Sequence, residues 1–376
     1  MHDLIIVGAG PVGATAAAAL SGRGLGLLVL EARRDSPDED RRSLALSWGS
    51  RLILERIGAW GDDLSATPIH SIHVSQRGGF GRAVMTAEQA GVPALGYVIS
   101  YAALRLALMR RVQACGARMV QGARAMQVDG DTNQVRVRYE HDGETREATG
   151  RLAVIADGGA LALSATDQAV HDYRQSAVVA NVTTDRPHGN RAFERFSAEG
   201  PIALLPFGAT FALVWTTAPE EAQSLLGVDE RAFLDRLQTR FGKRAGRFEA
   251  VQGRASYPLA LRFARPPRKP RVLLLGNAAQ TLHPVAAQGL NLGLRDAFEL
   301  ARSLNRAALD DAGFAERFRG LRRADRNSSI RMTDALVRVF TSDLPGLPWL
   351  RGCGLTALDS LPPVKRAFMD RMMFGS

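Results

Sequence analysis

The chain opens Asp3-Leu-Ile-Ile-Val-Gly8-Ala-Gly10-Pro-Val-Gly13-Ala-Thr-Ala-Ala-Ala-Ala-Leu20 and continues Ser21-Gly-Arg-Gly-Leu25-Gly-Leu-Leu-Val-Leu30-Glu31. Leu4 to Val7 is a continuous apolar run, Gly8 to Gly13 a turn, and Ala14 to Leu20 a helix former. Leu25 to Leu30 supplies a second apolar run that stops at Glu31. The pattern predicts strand, turn, helix, strand: a βαβ unit with a parallel pair. Gly8, Gly10 and Gly13 have G-x-G-x-x-G spacing. The first glycine permits the tight turn, the second lets a pyrophosphate approach the backbone, and the third allows close helix–strand packing. Glu31, eighteen residues past Gly13, is placed to accept from ribose hydroxyls. Phosphate gains further from the free N–H groups and partial positive charge at the helix start. These residues predict an adenine dinucleotide, and the glutamate argues that it lacks a 2′-phosphate.

Outward from this unit, two more strand candidates lie far downstream. Leu152 to Ala156 runs into Asp157-Gly158, and Val272 to Leu275 runs into Gly276-Asn277. Such scattering implies an interrupted nucleotide-binding domain. Ser71–Val74, Gln134–Tyr139, Ala177–Thr183 and Phe211–Thr216 alternate as half-buried antiparallel strands do, and are expected to form a second sheet facing the cofactor. Helices are expected at Tyr101–Ala114, Asp229–Phe241, Leu294–Leu304 and Ala315–Phe340. Pro266-Pro-Arg-Lys-Pro270 reads as an extended connector returning the chain to the first domain.

Composition narrows the class. The 376 residues, 46% hydrophobic and 23% charged, suit a globular protein and exclude a disordered or collagenous one. The net charge of +10 is almost wholly arginine, spread along the chain with no recognition motif around it, so nucleic acid is not an expected partner. Cys115 and Cys353 build neither a disulfide framework nor a metal site, so no metal is expected and the compartment is expected to be reducing. Met1-His2-Asp3 offers no basic leader, and glycines interrupt the apolar opening, so neither a secretion signal nor a spanning helix is expected.

A second stretch carries a resemblance. Gly276-Asn-Ala-Ala-Gln-Thr-Leu-His-Pro-Val-Ala-Ala-Gln-Gly-Leu-Asn-Leu-Gly293 resembles the second flavin-binding motif of the single-component FAD-dependent aromatic hydroxylases, the 4-hydroxybenzoate hydroxylase-like family. The resemblance implies that Gly276 and Asn277 meet the ribityl chain, that Pro284 lies beside the reacting edge of the flavin, and that Gly289, Asn291 and Gly293 form the turn at the pyrimidine end. Asn277 stands where most relatives have Asp; it keeps hydrogen-bonding capacity without the negative charge. Asp157-Gly158 resembles the third motif, near the pyrophosphate, although apolar residues follow it here. As a bare residue Asp157 also suits a strand-end turn. Arg42, within Arg41-Arg-Ser-Leu-Ala-Leu-Ser47, and Tyr101, at the start of a helix, match positions that relatives place against the flavin.

Arg191-Ala-Phe-Glu-Arg-Phe196, Gly200-Pro201, Leu205-Pro206, Tyr257-Pro-Leu259, Asp343-Leu-Pro345 and Leu361-Pro-Pro-Val-Lys365 are similar to the family members that act on polyprenylated methoxyphenols in bacterial ubiquinone biosynthesis. The resemblance implies an α/β fold with α+β elements. A Rossmann-like FAD-binding domain would take residues 1–70, 98–170 and 265–335, an antiparallel-sheet substrate domain 71–97 and 171–264, and a C-terminal helical tail 336–376. It further implies tightly bound FAD, transient NAD(P)H, and dioxygen. A flavin C4a-hydroperoxide would hydroxylate 2-polyprenyl-6-methoxyphenol to the 1,4-benzoquinol. The alternatives are another aromatic substrate, or a flavin-binding assembly subunit with little activity.

In that chemistry the protein excludes water, positions the ring and helps to remove the phenol proton. His283 is the acid–base candidate; it suits a structural hydrogen bond at least as well. Phe193, Phe196, Phe207 and Trp215 are candidates for the pocket wall or for ordinary core. The tail mixes Phe340, Leu344, Trp349, Leu350 and Phe368 with Arg351, Lys365, Arg366 and Arg371. It is expected to dock on an anionic bilayer or a biosynthetic assembly, or to close as a flap over the FAD domain. The expected location is cytoplasmic, peripheral to the inner membrane.

Overall fold

The computed structural model describes residues 1–34, 40, 42–161, 168–264, 269–342, 344 and 346–375. Arg41, residues 266–268 of the expected connector, and Asp343 and Pro345 of the tail motif lie outside the described residues.

β1 (His2–Val7) pairs in parallel with β2 (Leu27–Glu31) on one side and with the last part of β11 (Glu144–Ile155) on the other. β8 (Arg118–Gln121) continues the parallel sheet beyond β2, and β17 (Val272–Leu274) joins it beyond β11. Leu4, Ile5 and Ile6 are fully buried, as an unbroken apolar run must be when helices or loops cover both faces of a parallel sheet. Three helices share the core on one face: α1 (Pro11–Ala19), α4 (Tyr101–Ala114) and α7 (Gln288–Ser303). Pro11 sits in the first turn of α1, where its missing N–H costs nothing. Ser100 Oγ caps α4 by accepting from Ala103 N at 3.0 Å.

The segment expected at 134–139 is a strand, but it belongs to the first sheet. β9 (Arg124–Gly130) and β10 (Val135–His141) form an antiparallel ribbon on the early part of β11. Asp131 Oδ1 closes the turn between them, accepting from Asn133 N at 2.7 Å and Gln134 N at 2.9 Å. Alternation reports that one face is covered; the short turns on either side choose the sheet.

The second sheet has eight strands in the order β18 (Gln280–Thr281), β16 (Phe248–Ala264), β12 (Gln168–Thr184), β15 (Thr210–Thr217), β14 (Ile202–Phe207), β13 (Arg191–Phe196), β5 (Ser71–Gln76) and β6 (Arg82–Thr86). All neighbours are antiparallel except β13 with β5. A small sheet of β3 (Ser43–Ser47), β7 (Gly96–Ser100) and β4 (Thr67–Ile69) stands beside it, with α2 (Trp48–Arg56) following β3 and the single turn α3 (Ala87–Ala90) following β6.

The two faces of the large sheet differ. Helices α5 (Pro219–Gly227) and α6 (Glu230–Phe241) seal the outer face, where Val178, Leu204, Leu213 and Trp215 are buried with Phe233 and Leu237. Phe193 belongs to the same cluster. Neither Phe193 nor Trp215 therefore walls a pocket on the inner face; their strand parity points them the other way. The inner face shows Val179, Ala203, Leu205 and Val214, all half-buried. Phe196 and Phe207 are on this side, in clusters with Phe340 and with Ile69 and Val98.

After β17 and α7 the short helix α8 (Arg306–Asp310) is tied to the sheet by Arg271 Nη1, which donates to Leu309 O at 2.6 Å. The long helix α9 (Phe314–Thr341) leads to α10 (Leu347–Ser360) and α11 (Pro362–Phe374). These two pack on the β6 edge rather than standing free. A Cβ on Gly81 would lie 2.3 Å from Gly352 O, so strand and helix touch backbone to backbone. Lys365 Nζ donates to Val84 O at 3.0 Å and to Asp359 Oδ1 at 2.7 Å, and Asp359 Oδ1 also accepts from Val84 N at 3.0 Å. The tail thus satisfies the N–H and C=O that an edge strand leaves open.

Candidate active site

The C-terminal ends of β1, β2, β11 and β17 converge on a cleft of about 750 Å³. Gly8, with φ +97°, turns the chain away from β1 so closely that a Cβ would sit 2.6 Å from Ala156 O. Gly13 is equally constrained from within: its Cβ would fall 2.0 Å from Gly8 O. Gly10 is different. Its φ of −64° suits any residue, and a Cβ there meets nothing within 4 Å. It lines the cleft, so its bareness serves whatever lies in the cleft rather than the fold.

The downstream segment supplies the opposite wall. Gly276 (φ +57°) and Gly293 both press on Val12, with Cβ positions 2.9 and 2.7 Å from Val12 Cγ2. Residues 8–13 and 276–293 are thereby in direct contact. Gly289, at the start of α7, lines the cleft and, like Gly10, would carry a Cβ into open space. Two unobstructed glycines facing one cleft, each near a helix N-terminus, fit an elongated anionic cofactor.

Gly8, Gly10, Glu31, Arg42, Tyr101, Asp157, Gly276, Asn277 and Gly289 all line this cleft. Glu31 is buried; Oε2 accepts from Ala9 N at 2.6 Å and Oε1 from Arg33 N at 3.0 Å. Its carboxylate holds the glycine turn against β2, and two of its acceptor positions are left for a ribose diol. Asn277 is exposed to the cleft. Arg42 donates to both oxygens of Asp40, at 2.8 Å from Nε and 2.5 Å from Nη2. The bond to Asp40 holds its guanidinium pKa above the ordinary value. The same group lies 5.2 Å from the Tyr101 ring and 5.6 Å from the Tyr257 ring. It bridges the parallel sheet's helix layer and the inner face of the large sheet.

Three expected residues act through the backbone. Asp157 Oδ1 accepts from Gly159 N at 2.9 Å and Oδ2 accepts from Leu161 N, so the side chain closes its own turn. Asn291 is buried: Oδ1 accepts from Ser47 N at 2.9 Å, and Nδ2 donates to Ala45 O at 3.1 Å and Ala287 O at 2.7 Å. Its side chain fastens α7 to β3. Gly13 packs beneath the cleft.

Pro284 and His283 are not among the lining residues of the cleft. His283 is 1% exposed, its Nδ1 accepts from Val285 N at 3.1 Å, and its ring meets Tyr173 edge-on at 5.1 Å. Burial drives its pKa down to about 4, so the imidazole is neutral. Folded His283 resists protonation, whereas the unfolded residue takes a proton near pH 6.5. Stability is therefore complete above that value and falls as the pH drops towards about 4, by about 3 kcal/mol in all. In His283→Asn the amide oxygen can accept from Val285 N, and the urea midpoint is expected to decline less than the parent's between about pH 7 and about pH 4.5. Parallel profiles for the two proteins would rule this out.

Sequence reasoning missed Arg33, Arg105, Arg124 and Met126, which also line the cleft. Arg105 had a signal: it lies four residues after Tyr101 on α4 and so shares its face. Tyr257 entered the resemblance only within Tyr257-Pro-Leu259 and with no site role, since it is the β12–β16 pairing that brings it to Arg42. The guanidinium groups of Arg33, Arg105 and Arg124 place donors of the kind that bind phosphate along the cleft.

A family model described as FAD binding domain matches residues 1–315. The chain belongs to this FAD-binding family. It is 33% identical to the ubiquinone hydroxylase UbiL of Rhodospirillum rubrum, over 99% of this chain and 89% of that protein. It is 28% identical to the 3-demethoxyubiquinol 3-hydroxylase of Escherichia coli, over 97% of this chain and 96% of that protein. The solved structure of p-nitrophenol 4-monooxygenase PnpA from Pseudomonas putida superposes with a TM-score of 0.79 and 18% identity, covering 100% of this chain and 98% of that one; it shares the fold. This flavoprotein is an FAD-dependent monooxygenase of the aromatic hydroxylase type, with the mixed α/β fold expected of one. FAD is its cofactor.

Proposed function

We propose that this flavin hydroxylase adds oxygen to the aromatic ring of a polyprenylated phenol in ubiquinone formation, converting 2-polyprenyl-6-methoxyphenol to the 1,4-benzoquinol. The observation that carries the reading is the inner face of the large sheet. Val179, Ala203, Leu205 and Val214 form an apolar surface left half-covered, on the side where Tyr257 meets Arg42. An apolar floor beside a flavin cleft suits a ring with a hydrocarbon chain. The relatives named as ubiquinone-pathway hydroxylases support the substrate class.

In this reading residues 1–70, 98–170 and 265–335 hold FAD, 71–97 and 171–264 hold the phenol, and 336–376 form the tail. Gly10 and Gly289 admit the cofactor, Glu31 meets its ribose, and Asn277 its ribityl chain. Arg42, Tyr101 and Tyr257 stand at the junction with the phenol. FAD held there would supply the redox chemistry, accepting hydride from NAD(P)H and activating dioxygen. The protein positions the ring carbon and keeps water away. Leu344, Trp349, Leu350, Leu361 and Val364 are exposed on the tail and would reach a bilayer where the prenyl chain resides. No helix among the described residues is long and apolar enough to cross a membrane.

A deletion strain is expected to accumulate 2-polyprenyl-6-methoxyphenol and to recover on complementation. Unchanged quinone with a different aromatic intermediate building up would refute the assignment. Purified protein that holds FAD yet consumes no NAD(P)H when given the phenol would identify an assembly subunit instead.

A further inference from the structure

Along β13 the side chains alternate between the faces of the large sheet. Phe193 packs under α5 and α6, and Arg195 Nη1 donates to Ser75 Oγ at 3.4 Å. Ala192 and Phe196 take the inner face. Ala192 clusters with Ile69 and Val98 of the small sheet, and Phe196 stacks on Phe340 at 3.8 Å in a cluster that includes Val285, the neighbour of Pro284. Glu194 lies between them, on the face that looks towards residues 284–287. Its strand partners are Ala203 on β14 and Val74 on β5, both half-buried and apolar.

Among the described residues no cation or side-chain donor holds this carboxylate. Burial alone pushes its pKa up to about 7. The contrast with Asp296, which is more deeply buried and bonded to Arg322, is chemical: an isolated, half-buried carboxyl on an apolar floor has unused hydrogen-bonding capacity. The charged and titratable groups on the surrounding elements are engaged elsewhere: on β12 Tyr173 Oη donates to Asp334 Oδ1 at 3.3 Å. β5 presents Ile72, Val74 and Gln76, and β14 presents Ala203 and Leu205. The 283–287 segment carries only the neutral His283. On α9, Asp334 is paired with Arg338; on α10 the Arg351 guanidinium is spent on Phe340 O and Ser342 O; Lys365 of α11 is paired with Asp359. The small sheet contributes Ile69 and Val98, with Tyr97 on the alternate face.

We propose that Glu194 binds the phenolic hydroxyl of the substrate and accepts its proton as the ring is hydroxylated. The O–H bond breaks, the proton passes to a Glu194 carboxylate oxygen, and the electron pair remains on the phenol oxygen to enrich the ring carbon that is oxygenated. A base with a pKa close to the working pH suits this task. The inference rests on the reading of the substrate as a phenol.

The test uses the FAD-loaded protein with a short-chain 2-alkyl-6-methoxyphenol and its O-methyl ether. For the parent, the phenol is expected to bind about tenfold more tightly at about pH 8 than at about pH 6, because a hydroxyl donating to a charged acceptor gains about that much. The ether, which cannot donate, should show a flat profile. In Glu194→Gln both ligands should be flat, and product formed per NAD(P)H consumed should fall about tenfold, with FAD content and flavin reduction rate unchanged. Equal pH profiles for phenol and ether in the parent overturn the proposal without any variant, as does a variant that keeps the parent's profile and coupling. Failure of the phenol to bind at either pH overturns it together with the pocket. If the parent shows the predicted profile yet forms no hydroxylated product, the Glu194 contact stands and the assigned reaction falls.

Discussion

Gly10→Glu is expected to yield a folded protein that is colourless. At residue 10 the backbone angles are ordinary and a Cβ touches nothing, so the fold does not object to a side chain. A carboxylate near the start of α1 even favours the helix dipole. The conflict is with the ligand: the side chain fills the cleft and sets a negative charge where the FAD pyrophosphate approaches the helix start. FAD affinity should fall at least about a hundredfold, equivalent to about 3 kcal/mol, while the far-ultraviolet circular dichroism of the apoprotein matches the parent's. Gly13→Ala provides the contrast, since its methyl would collide with Gly8 O at 2.0 Å and damage the turn itself. A yellow Gly10→Glu protein with the parent's flavin content would move the pyrophosphate elsewhere.

The difference between these two glycines shows what a sequence can and cannot carry. The spacing of Gly8, Gly10 and Gly13 specifies a local turn, because Gly13 closes on Gly8 O five residues back, although the backbone that Gly8 itself meets, at Ala156, is remote in sequence. The apolar runs at 152–156 and 272–275 were legible as strands for the same reason: their burial on both faces leaves an unbroken run. Gln134–Tyr139 shows the limit. Its alternation is plain, yet the Asp131 turn, not the alternation, assigns it to the first sheet. Phe193 and Trp215 show the limit again, because strand parity tells which residues share a face but not which face the helices cover.

At the site the same boundary applies. Residue types named the cleft-lining glycines, Glu31 and Asn277, whereas hydrogen-bond geometry decided that Asn291 and Asp157 serve the backbone. Tyr257 and Glu194 reach the inner face through pairings with β12, β14 and β5 that are remote in sequence. No local signal distinguishes a Glu within Arg191-Ala-Phe-Glu-Arg-Phe196 from a solvent-exposed one. Its meaning comes from Ala203 and Val74, which arrive from other strands.

A second large effect is expected far from the cleft, at Arg322→Met. Arg322 Nε donates to Asp296 Oδ1 at 2.6 Å, and Nη2 donates to Asp325, which also accepts from Arg295 Nε at 3.0 Å and Nη2 at 3.2 Å. Asp296 and Asp325 are 5% and 3% exposed. The network fastens α7, which carries Gly289, to α9, and Arg326 Nη2 of α9 reaches Ala279 O at 3.1 Å. Burial already pushes the Asp296 carboxyl up against the opposing pull of Arg322. Asp325 keeps Arg295 after the substitution, but Asp296 is left as a buried carboxylate without its cation, which costs about 3–5 kcal/mol. Its folded pKa rises further above the unfolded value near 3.9, so the variant's deficit is smallest in acid and grows as the pH rises through the folded pKa. Urea unfolding at about pH 5 and about pH 8 should show the larger loss at the higher pH. Adding Asp296→Leu removes the orphaned charge and should restore most of the stability, because the pair's worth lies mainly in each ion's need for the other. A deficit independent of pH, or a double variant no more stable than Arg322→Met, would mean that Arg322 acts through packing alone.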